Sequence, residues 1–477
     1  MDAPLRGVVR NPHPQPLQYV KICSLYGAGF YYMPGTDTCI KIGGFVRVEV
    51  DVNAGGSFAV HQTGAFGSPS DAGLQLWRTR AGVTLDTRSQ TEYGTLRSYF
   101  VLAATSDFDG SGNTSLGTSA SITGATAPGV VLSPGTYGGT GVGNNPGGAG
   151  RAPYTRQWSN AAFIQFAGFT AGKTGSFFDF DLQPYSNQTN FWSSNMAGGG
   201  ITVFAYTAQF GNGLSASISA EDAAVRRQSI TATNVVVPSA ATPTLAQYGN
   251  VQSPDIVGNL RIDQAWGSAQ VMGAYHQVFE VNQLTAAAAQ TSTSATGYAF
   301  GAGLKFNVPM LGKGDYVLGQ FTYSKGANQY AGSNMNGGFA DTNSDATVAY
   351  AGQSFDAVVT PGGGLDLTTA WSVTAGYEHF WNSQWKTSLY GAYGQVSYSD
   401  AATAVIRPAT AGAGTSANWD YWQVGSRTTW TPVANLDLSL EAMYNHLDGA
   451  YTSTATGAFG DHSWVSGIFR VQRNFYP

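Results

Sequence analysis

The feature that most limits the fold of this chain is a regular alternation of apolar and polar side chains. From residue 40 to residue 52 the even positions are aliphatic or Gly, whereas charges such as Arg47 and Glu49 stand at odd positions. A β-strand gives this pattern when its two faces meet different surroundings, because successive side chains point to opposite faces. The same alternation returns over 296–307 and 436–447. The pattern therefore predicts strands with one apolar and one polar face.

Strand length and composition favour a membrane setting for these strands. Many exceed ten residues, whereas soluble strands usually have about five or six and membrane strands need about 9–11. Charged residues make up 11% of the chain, far below the roughly 25% of soluble domains. There is no run of 18 apolar residues that could form a membrane-spanning helix. A β-barrel that exposes every second side chain to lipid fits all of these observations.

The candidate strands number sixteen, and short spacers between them alternate with long ones. Bacterial outer-membrane barrels have an even strand number, short periplasmic turns and long extracellular loops. Sixteen strands leave an aqueous channel rather than a packed core. We therefore predict an all-β fold, a 16-stranded antiparallel transmembrane β-barrel in the bacterial outer membrane. The predicted strands are 39–53, 73–88, 94–106, 156–168, 169–175, 201–210, 213–221, 255–265, 268–279, 296–307, 315–324, 368–381, 385–398, 419–431, 436–447 and 462–475.

Aromatic side chains gather near the ends of the predicted strands. Outer-membrane barrels carry such residues as girdles at the two membrane–water interfaces. We therefore expect the strand-end aromatics to face the lipid headgroups. Examples are Trp381, Trp385, Trp419 and Trp464.

The start of the chain precedes the first strand and contains both cysteines. We expect residues 1–38 to form a periplasmic segment that leads into one barrel domain, 39–477. No apolar signal region follows Met1, so we expect a mature chain with an added initiator Met. Cys23 and Cys39 are either two buried free thiols or a disulfide, which an oxidising compartment would favour. The disulfide would tie the segment to the first strand and contribute about 3 kcal/mol.

Three segments resemble the alphaproteobacterial porin family, and together they extend the resemblance over the whole chain. The first, 26–47, reads YGAGFYYMPGTDTCIKIGGFVR; the second, 162–179, reads AFIQFAGFTAGKTGSFFD; the third is 467–477. General bacterial porins usually end on Phe, whereas Tyr476 and Pro477 follow Phe475 here. The resemblance implies a general diffusion porin, a homotrimer with one pore in each protomer, and a third loop folded into the barrel.

The charges on the polar faces are the candidate functional residues. A charge that faces lipid at mid-bilayer costs roughly 2–4 kcal/mol, so strand charges should face the lumen. The resemblance places loop 176–200, with Asp179 and Asp181, in the constriction. Opposed acidic and basic walls would create a transverse field across the pore; alternatively, each charge merely keeps the wall polar. The residues expected at the lumen or constriction are Arg47, Arg78, Arg80, Arg97, Lys173, Asp179, Asp181, Arg261, Lys305, Glu378, Arg427 and Glu441. For Arg97 and Lys173 the alternation of the surrounding strand is poor.

Motifs for other chemistry are weak. Asp107 and Asp109 begin a segment similar to a calcium loop, but the further acidic ligands are missing, so we expect a turn rather than a Ca²⁺ site. Gly172-Lys173-Thr174 lacks the first glycine of a phosphate loop and lies in a predicted strand. His379 is expected at the membrane interface. We predict no catalytic residue, no metal site and no cofactor.

The sequence therefore predicts passive diffusion of small hydrophilic solutes and ions through the barrel. The expected partners are further copies in a homotrimer, outer-membrane lipid and lipopolysaccharide. Nucleic acid is not expected as a partner, because the net charge is −5. The alternatives are a substrate-selective channel, an adhesin or receptor-like barrel, and a soluble lectin-like β protein. An adhesin would bind surfaces and conduct few ions, and a lectin would stay monodisperse without detergent.

Overall fold

Sixteen antiparallel strands form a closed ring, because the last strand pairs with the first along 45–52. The computed structural model describes residues 21–53, 75–109, 154–180, 187, 194, 200–231, 246–282, 291–332, 339–342, 349–352, 354–360, 363–406, 416–452 and 459–475. The barrel strands are β1 (Cys39–Val52), β2 (Gln75–Thr91), β3 (Gly94–Asp109), β4 in two pieces (Tyr154–Trp158 and Ala162–Phe166), β5 (Phe169–Thr174), β6 (Ile201–Gly211), β7 (Leu214–Glu221), β8 (Asp255–Gln264), β9 (Gly267–Asn282), β10 (Thr291–Asn307), β11 (Tyr316–Lys325), β12 (Thr369–Phe380), β13 (Trp385–Ser397), β14 (Trp419–Val433), β15 (Leu436–Thr452) and β16 (Phe459–Asn474).

The predicted fold is confirmed, and each predicted strand overlaps one barrel strand. Tight turns join β2 to β3, β4 to β5 and so on, whereas long connections lie at the opposite end of the barrel. Asn212 and Asn435 lie in two of the tight turns with positive φ of 50° and 64°. Asn tolerates this left-handed conformation better than most residues, so it suits short hairpins. Among the residues that the structure describes, no helix is long and apolar enough to cross a membrane.

The fourth strand departs from the prediction of one continuous strand over 156–168. Trp158 pairs with Ala103, whereas Ala162 pairs with Phe100. Four steps along β4 therefore match three steps along β3, which is the extra residue of a β-bulge. The bulge reverses which alternate residues face the lumen, so one alternation rule cannot describe the whole strand.

Exposure is inverted relative to a soluble protein. The apolar side chains of Val46 and Leu440 are 46% and 66% exposed on the outside of the barrel. Charged side chains of the opposite parity, such as Glu49, Arg78 and Glu441, are buried on the inside. A barrel in lipid needs this arrangement, because its outer face contacts hydrocarbon and its lumen contacts water.

An aromatic belt surrounds the tight-turn end of the barrel. Trp381 and Trp385 are exposed there, and the Trp385 ring stacks on that of Trp430 with centroids 5.6 Å apart. The expectation fails for Trp419 and Trp464, which are buried on the lumen-facing parity of β14 and β16. Strand-end position alone cannot separate these two cases, because adjacent positions on a strand face opposite sides.

The long connections contain ordered elements that the sequence did not predict. Three short strands, Ser229–Thr231, Phe355–Val359 and Leu365–Leu367, form a separate small sheet from the β7–β8 and β11–β12 connections. A short helix of seven residues, Asp400–Ile406, lies between β13 and β14. Ile230 and Val359 pack against Val278 of β9, so these connections fold onto the inner wall.

The N-terminal segment is attached to the first strand. Cys23 and Cys39 form the predicted disulfide, and Tyr31–Tyr32 pairs with the start of β1. Phe30 is buried beside the disulfide, and the Arg88 guanidinium lies 4.8 Å from its ring centroid. The separate domain boundary at residue 38 stays a prediction.

Candidate functional site: the charged lumen and the third loop

A belt of charged side chains follows the inner wall from β12 through β16 to β2. Glu49 on β1 lies between two cations, 3.0 Å from Arg470 Nε on β16 and 3.7 Å from Arg78 Nη1 on β2. Glu378 on β12 lies between Arg427 Nη2 and Lys386 Nζ, at 2.9 and 3.2 Å. Residue alternation puts all of these side chains inside, because their strand neighbours are exposed to lipid. We call this set, with Arg47, Arg80 and Glu441, the charged wall.

The loop between β5 and β6 reaches the charged wall from the other side of the lumen. Its Asn187 donates a backbone hydrogen bond of 2.5 Å to Glu441 Oε2 and a side-chain hydrogen bond of 2.8 Å to Ser439 Oγ. The Asn187 side-chain oxygen accepts from Arg470 Nη1 at 2.7 Å. Since β5 and β6 are separated from β15 and β16 by many strands in either direction around the ring, this loop enters the barrel and narrows its bore.

The start of the same loop packs on the wall formed by β8 to β10. Asn259 donates to the Phe177 carbonyl at 2.7 Å, and Arg261 Nη1 donates to the Phe180 carbonyl at 3.2 Å. The Phe180 ring lies directly over Gly303 of β10, where a side chain would collide with it. The loop is therefore held at two places, by packing at its base and by polar contacts at Asn187.

Most of the predicted lumen residues occupy the alternate strand positions whose side chains face the inside of the barrel. Arg47 donates to Gln472 at 2.7 Å, and the Arg80 guanidinium lies 5.7 Å from the Trp158 ring centroid. Lys305 on β10 lies over the Tyr316 ring. Arg261 lies at the tight-turn end, where Asp263 accepts hydrogen bonds from it. Arg78, Glu378, Arg427 and Glu441 also face the bore. Of these lumen residues, Arg261 and Lys305 lie outside the charged wall.

The two residues in strands of poor alternation differ in placement. Arg97 faces the lumen near the tight turns, where it binds both oxygens of Asp86 at 3.1 and 3.0 Å. Lys173 instead occupies one of the alternate positions of β5 that face outward, like Phe169, and its Nζ donates to the Ser159 carbonyl at 2.8 Å. The prediction of Lys173 as a lumen residue is therefore corrected. Asp181 lies outside the described residues.

Asp179, at the start of the third loop, is bound both by Ser194 of the same loop and by Arg226 of the β7–β8 connection. Asp179 accepts hydrogen bonds from Ser194 at 2.7 Å and from Arg226 at 3.4 Å. Arg226 is fully buried, with its guanidinium 4.2 Å from the Tyr330 ring centroid. Burial by itself would lower the pKa of Arg226, but Asp179 and the other acidic groups nearby raise it above its ordinary value. Asp179 is thus an anchor for the loops rather than an unpaired charge.

A second buried network fixes the β7–β8 and β11–β12 connections above β9. Asp356 accepts from the Tyr248 hydroxyl at 2.6 Å and from the backbone N–H groups of Gln228 and Asn328 at 2.7 and 2.8 Å. His276 on β9 bonds Asp255 through Nδ1 at 2.8 Å. Burial raises the pKa of the Asp356 carboxyl despite these donors. The described parts of these two connections are therefore bound to each other and to β9 on the inner wall.

Sequence reasoning missed several members of the site. Arg470 alternates with the lipid-facing Phe469, so the rule used for Arg47 could have found it. Lys386 follows the same rule on β13. Asn187 and Arg226 lie in connections without periodicity, and a neutral amide in a Ser/Asn-rich loop carries no sequence signal.

The structure also places the candidate sites for other chemistry. Within the described ranges, no group of three or more His, Cys, Asp and Glu side chains could hold a metal ion. The backbones of Asp107 and Asp109 belong to β3 and pair with Arg78 and Leu76, so these residues continue a strand rather than start a turn. What the site offers is a polar bore with fixed cations and anions at hydrogen-bonding distance from one another.

Comparison with known proteins gives one family for almost the whole chain. A model described as the porin subfamily matches residues 8–468. Porin Omp2b of Brucella abortus is 28% identical over 272 residues, which cover 56% of this chain and 60% of the relative. The chain thus spans about 60% of the length of the curated relatives of this kind. The outer-membrane channel DcaP of Acinetobacter baumannii has the same fold, with a TM-score of 0.53, 14% identity, and coverage of 93% and 99% of the two chains.

Proposed function

Because the chain belongs to the porin family and is a multi-pass outer-membrane barrel, we propose that it is a passive channel for small hydrophilic solutes and ions. The observation that carries this proposal is the polar, charged inner wall of a closed ring of sixteen strands. Sixteen strands enclose a water-filled bore. The third loop narrows that bore, which limits the size of the solutes that pass.

The same proposal assigns a role to the cations of the charged wall. Arg47, Arg78 and Arg80 lie on neighbouring strands β1 and β2 and face inward. A group of fixed positive charges in a narrow, low-dielectric passage raises the local concentration of anions. We propose that these three residues, which share the charged wall with Arg470 and Glu441 where Asn187 of the third loop binds, belong to the constriction and bias the channel towards anions.

Planar bilayer recording tests both statements. The purified protein should give discrete single-channel steps, and neutralisation of Arg47, Arg78 and Arg80 to Gln should shift the reversal potential in a salt gradient towards cations. A purified, folded barrel without ion conductance would refute the channel. Steps with an unchanged reversal potential in the triple variant would refute the place of these residues at the narrowest point.

We further infer a homotrimer in the outer membrane, in contact with lipid and lipopolysaccharide. The support for this assembly is the family resemblance. It predicts three conductance steps for each inserted particle and a complex of three chains in mild detergent. Single steps from a monodisperse monomer would contradict it.

Catalysis forms no part of the proposed function. Saturable block by one solute would favour the alternative of a substrate-selective channel. Binding to surfaces without conductance would favour an adhesin.

A further inference from the structure

Asn187 is a single neutral side chain held between opposite charges of the wall. Its backbone N–H donates to Glu441 Oε2 at 2.5 Å and its side-chain nitrogen to Ser439 Oγ at 2.8 Å. Arg470 donates to both the side-chain and the backbone oxygen of Asn187, at 2.7 and 3.2 Å. Arg427 Nη1 lies 3.5 Å from the same side-chain oxygen. The residue is buried, with 5% of its surface exposed.

The amide is chemically suited to this position. It offers donors and an acceptor at once, so it can satisfy Ser439 and two guanidinium groups without adding a charge. Hydrogen bonds to charged groups are roughly twice as strong as hydrogen bonds between neutral groups. A loop fixed by several such bonds has a defined position, and the two arginines have their N–H groups turned towards the loop instead of the water of the bore.

We propose that Asn187 is a positioning residue that sets both the width and the ion preference of the pore. It holds the third loop against the charged wall, and its carbonyl oxygens occupy donors of Arg470 and Arg427 that would otherwise attract anions. This inference rests on the proposed channel function. It assigns the width of the pore to the contacts that Asn187 makes with Arg470 and Glu441, rather than to the third loop as a whole.

Two substitutions give opposite expectations. Asn187→Ala removes the side-chain contacts with Ser439, Arg470 and Arg427 but keeps the backbone hydrogen bonds, so the loop is held less tightly and guanidinium donors face the bore. The single-channel conductance should rise and the reversal potential should move towards anions. Asn187→Asp keeps an acceptor for Arg470 and Arg427, and the Ser439 hydroxyl can turn to donate. Its conductance should stay close to that of the wild type, while the added charge moves the reversal potential towards cations.

Asn445→Ala provides a matched control on the same inner wall. Asn445 is a fully buried amide of β15 that accepts from the Tyr421 hydroxyl at 2.7 Å and donates to Ser466 Oγ at 3.2 Å and to the Met443 carbonyl at 3.4 Å. Loss of this amide removes hydrogen bonds from the wall, and none of these hydrogen bonds involves a described residue of the third loop. The control variant should therefore keep the wild-type conductance and reversal potential.

The results separate the inference from the function on which it rests. If the wild-type protein does not conduct, the proposed function fails before any variant is compared. If the wild type conducts but Asn187→Ala leaves conductance and reversal potential unchanged, the role of Asn187 is refuted alone. Shifts of the same sign in both Asn187 variants, or equal shifts in Asn445→Ala, would also refute it. Opposite shifts of the reversal potential in the two Asn187 variants would support it, provided that each variant is folded, as judged by a change in gel mobility on heating.

Discussion

Substitution of Gly303 should displace the base of the third loop. A Cβ at this position would lie 2.6 Å from Phe180 Cβ and closer still to the ring. Carbon atoms in contact prefer about 3.5–4.0 Å, whereas Phe180 Cγ would lie 2.2 Å from the added Cβ, so the Phe180 ring must retreat by roughly 1.3 Å or more in Gly303→Ala. Overpacking of this size costs typically 1–3 kcal/mol. We expect a loss of about that size in the free energy of unfolding.

The measurement is denaturant unfolding of the barrel in lipid vesicles, with Gly258→Ala as the control. Around Gly258 the nearest atom to an added Cβ is the Ser217 carbonyl oxygen at 3.8 Å, an ordinary contact. Ala is favoured over Gly within strands by roughly 0.5–1 kcal/mol, so the control should be neutral or slightly stabilised. In Gly303→Ala combined with Phe180→Ala the two costs should be less than additive, since the collision is gone. Equal stability of the two glycine variants, or full additivity in the double variant, would refute the reasoning.

Two further predictions test the outer face and the tight-turn end. Leu440→Lys should lower the free energy of unfolding by about 2–4 kcal/mol, because Leu440 is 66% exposed on the lipid side of β15; unfolding in vesicles with wild-type stability would place it in water. Asp315 accepts hydrogen bonds from the Phe380 N–H, the Tyr377 hydroxyl and His379. Burial acts to raise its pKa, but these donors hold the pKa of Asp315 below its ordinary value. The stabilisation that Asp315 gives to the β10–β11 turn should be present above about pH 4 and lost as the pH falls further. The measurement is protease cleavage of this turn as a function of pH. Cleavage of the control variant Asp315→Asn should not change over the same pH range.

The strands could be predicted because each one separates lipid from water. A residue such as Val46 has no polar alternative that lipid would tolerate, so the apolar period is strong over the whole of β1. The same rule failed at β4, because the extra residue between Trp158 and Ala162 reverses the parity. It could not separate Trp464 from the interfacial belt, since both faces of a strand end accept an aromatic ring.

The contacts of the connections could not be predicted, because they depend on groups far apart in sequence. Asn187 meets Arg470 across 283 positions, and Arg226 reaches Gln329 across 103. Neither contact follows from a periodic pattern or a motif in the sequence. Hydrogen-bond geometry in the closed barrel selects them, so they become visible only after the ring of strands has formed.

The net charge of −5 also says little about the ions that enter the bore. Charges separated by more than about 8 Å are largely screened at physiological salt, so an ion in the lumen responds mainly to the wall around it. On that wall Glu49 is shared by Arg78 and Arg470, and Glu378 by Arg427 and Lys386. Each of these two carboxylates faces two cations, which leaves a positive excess beside an overall acidic chain. The sign of the reversal potential should therefore follow the charged wall rather than the composition.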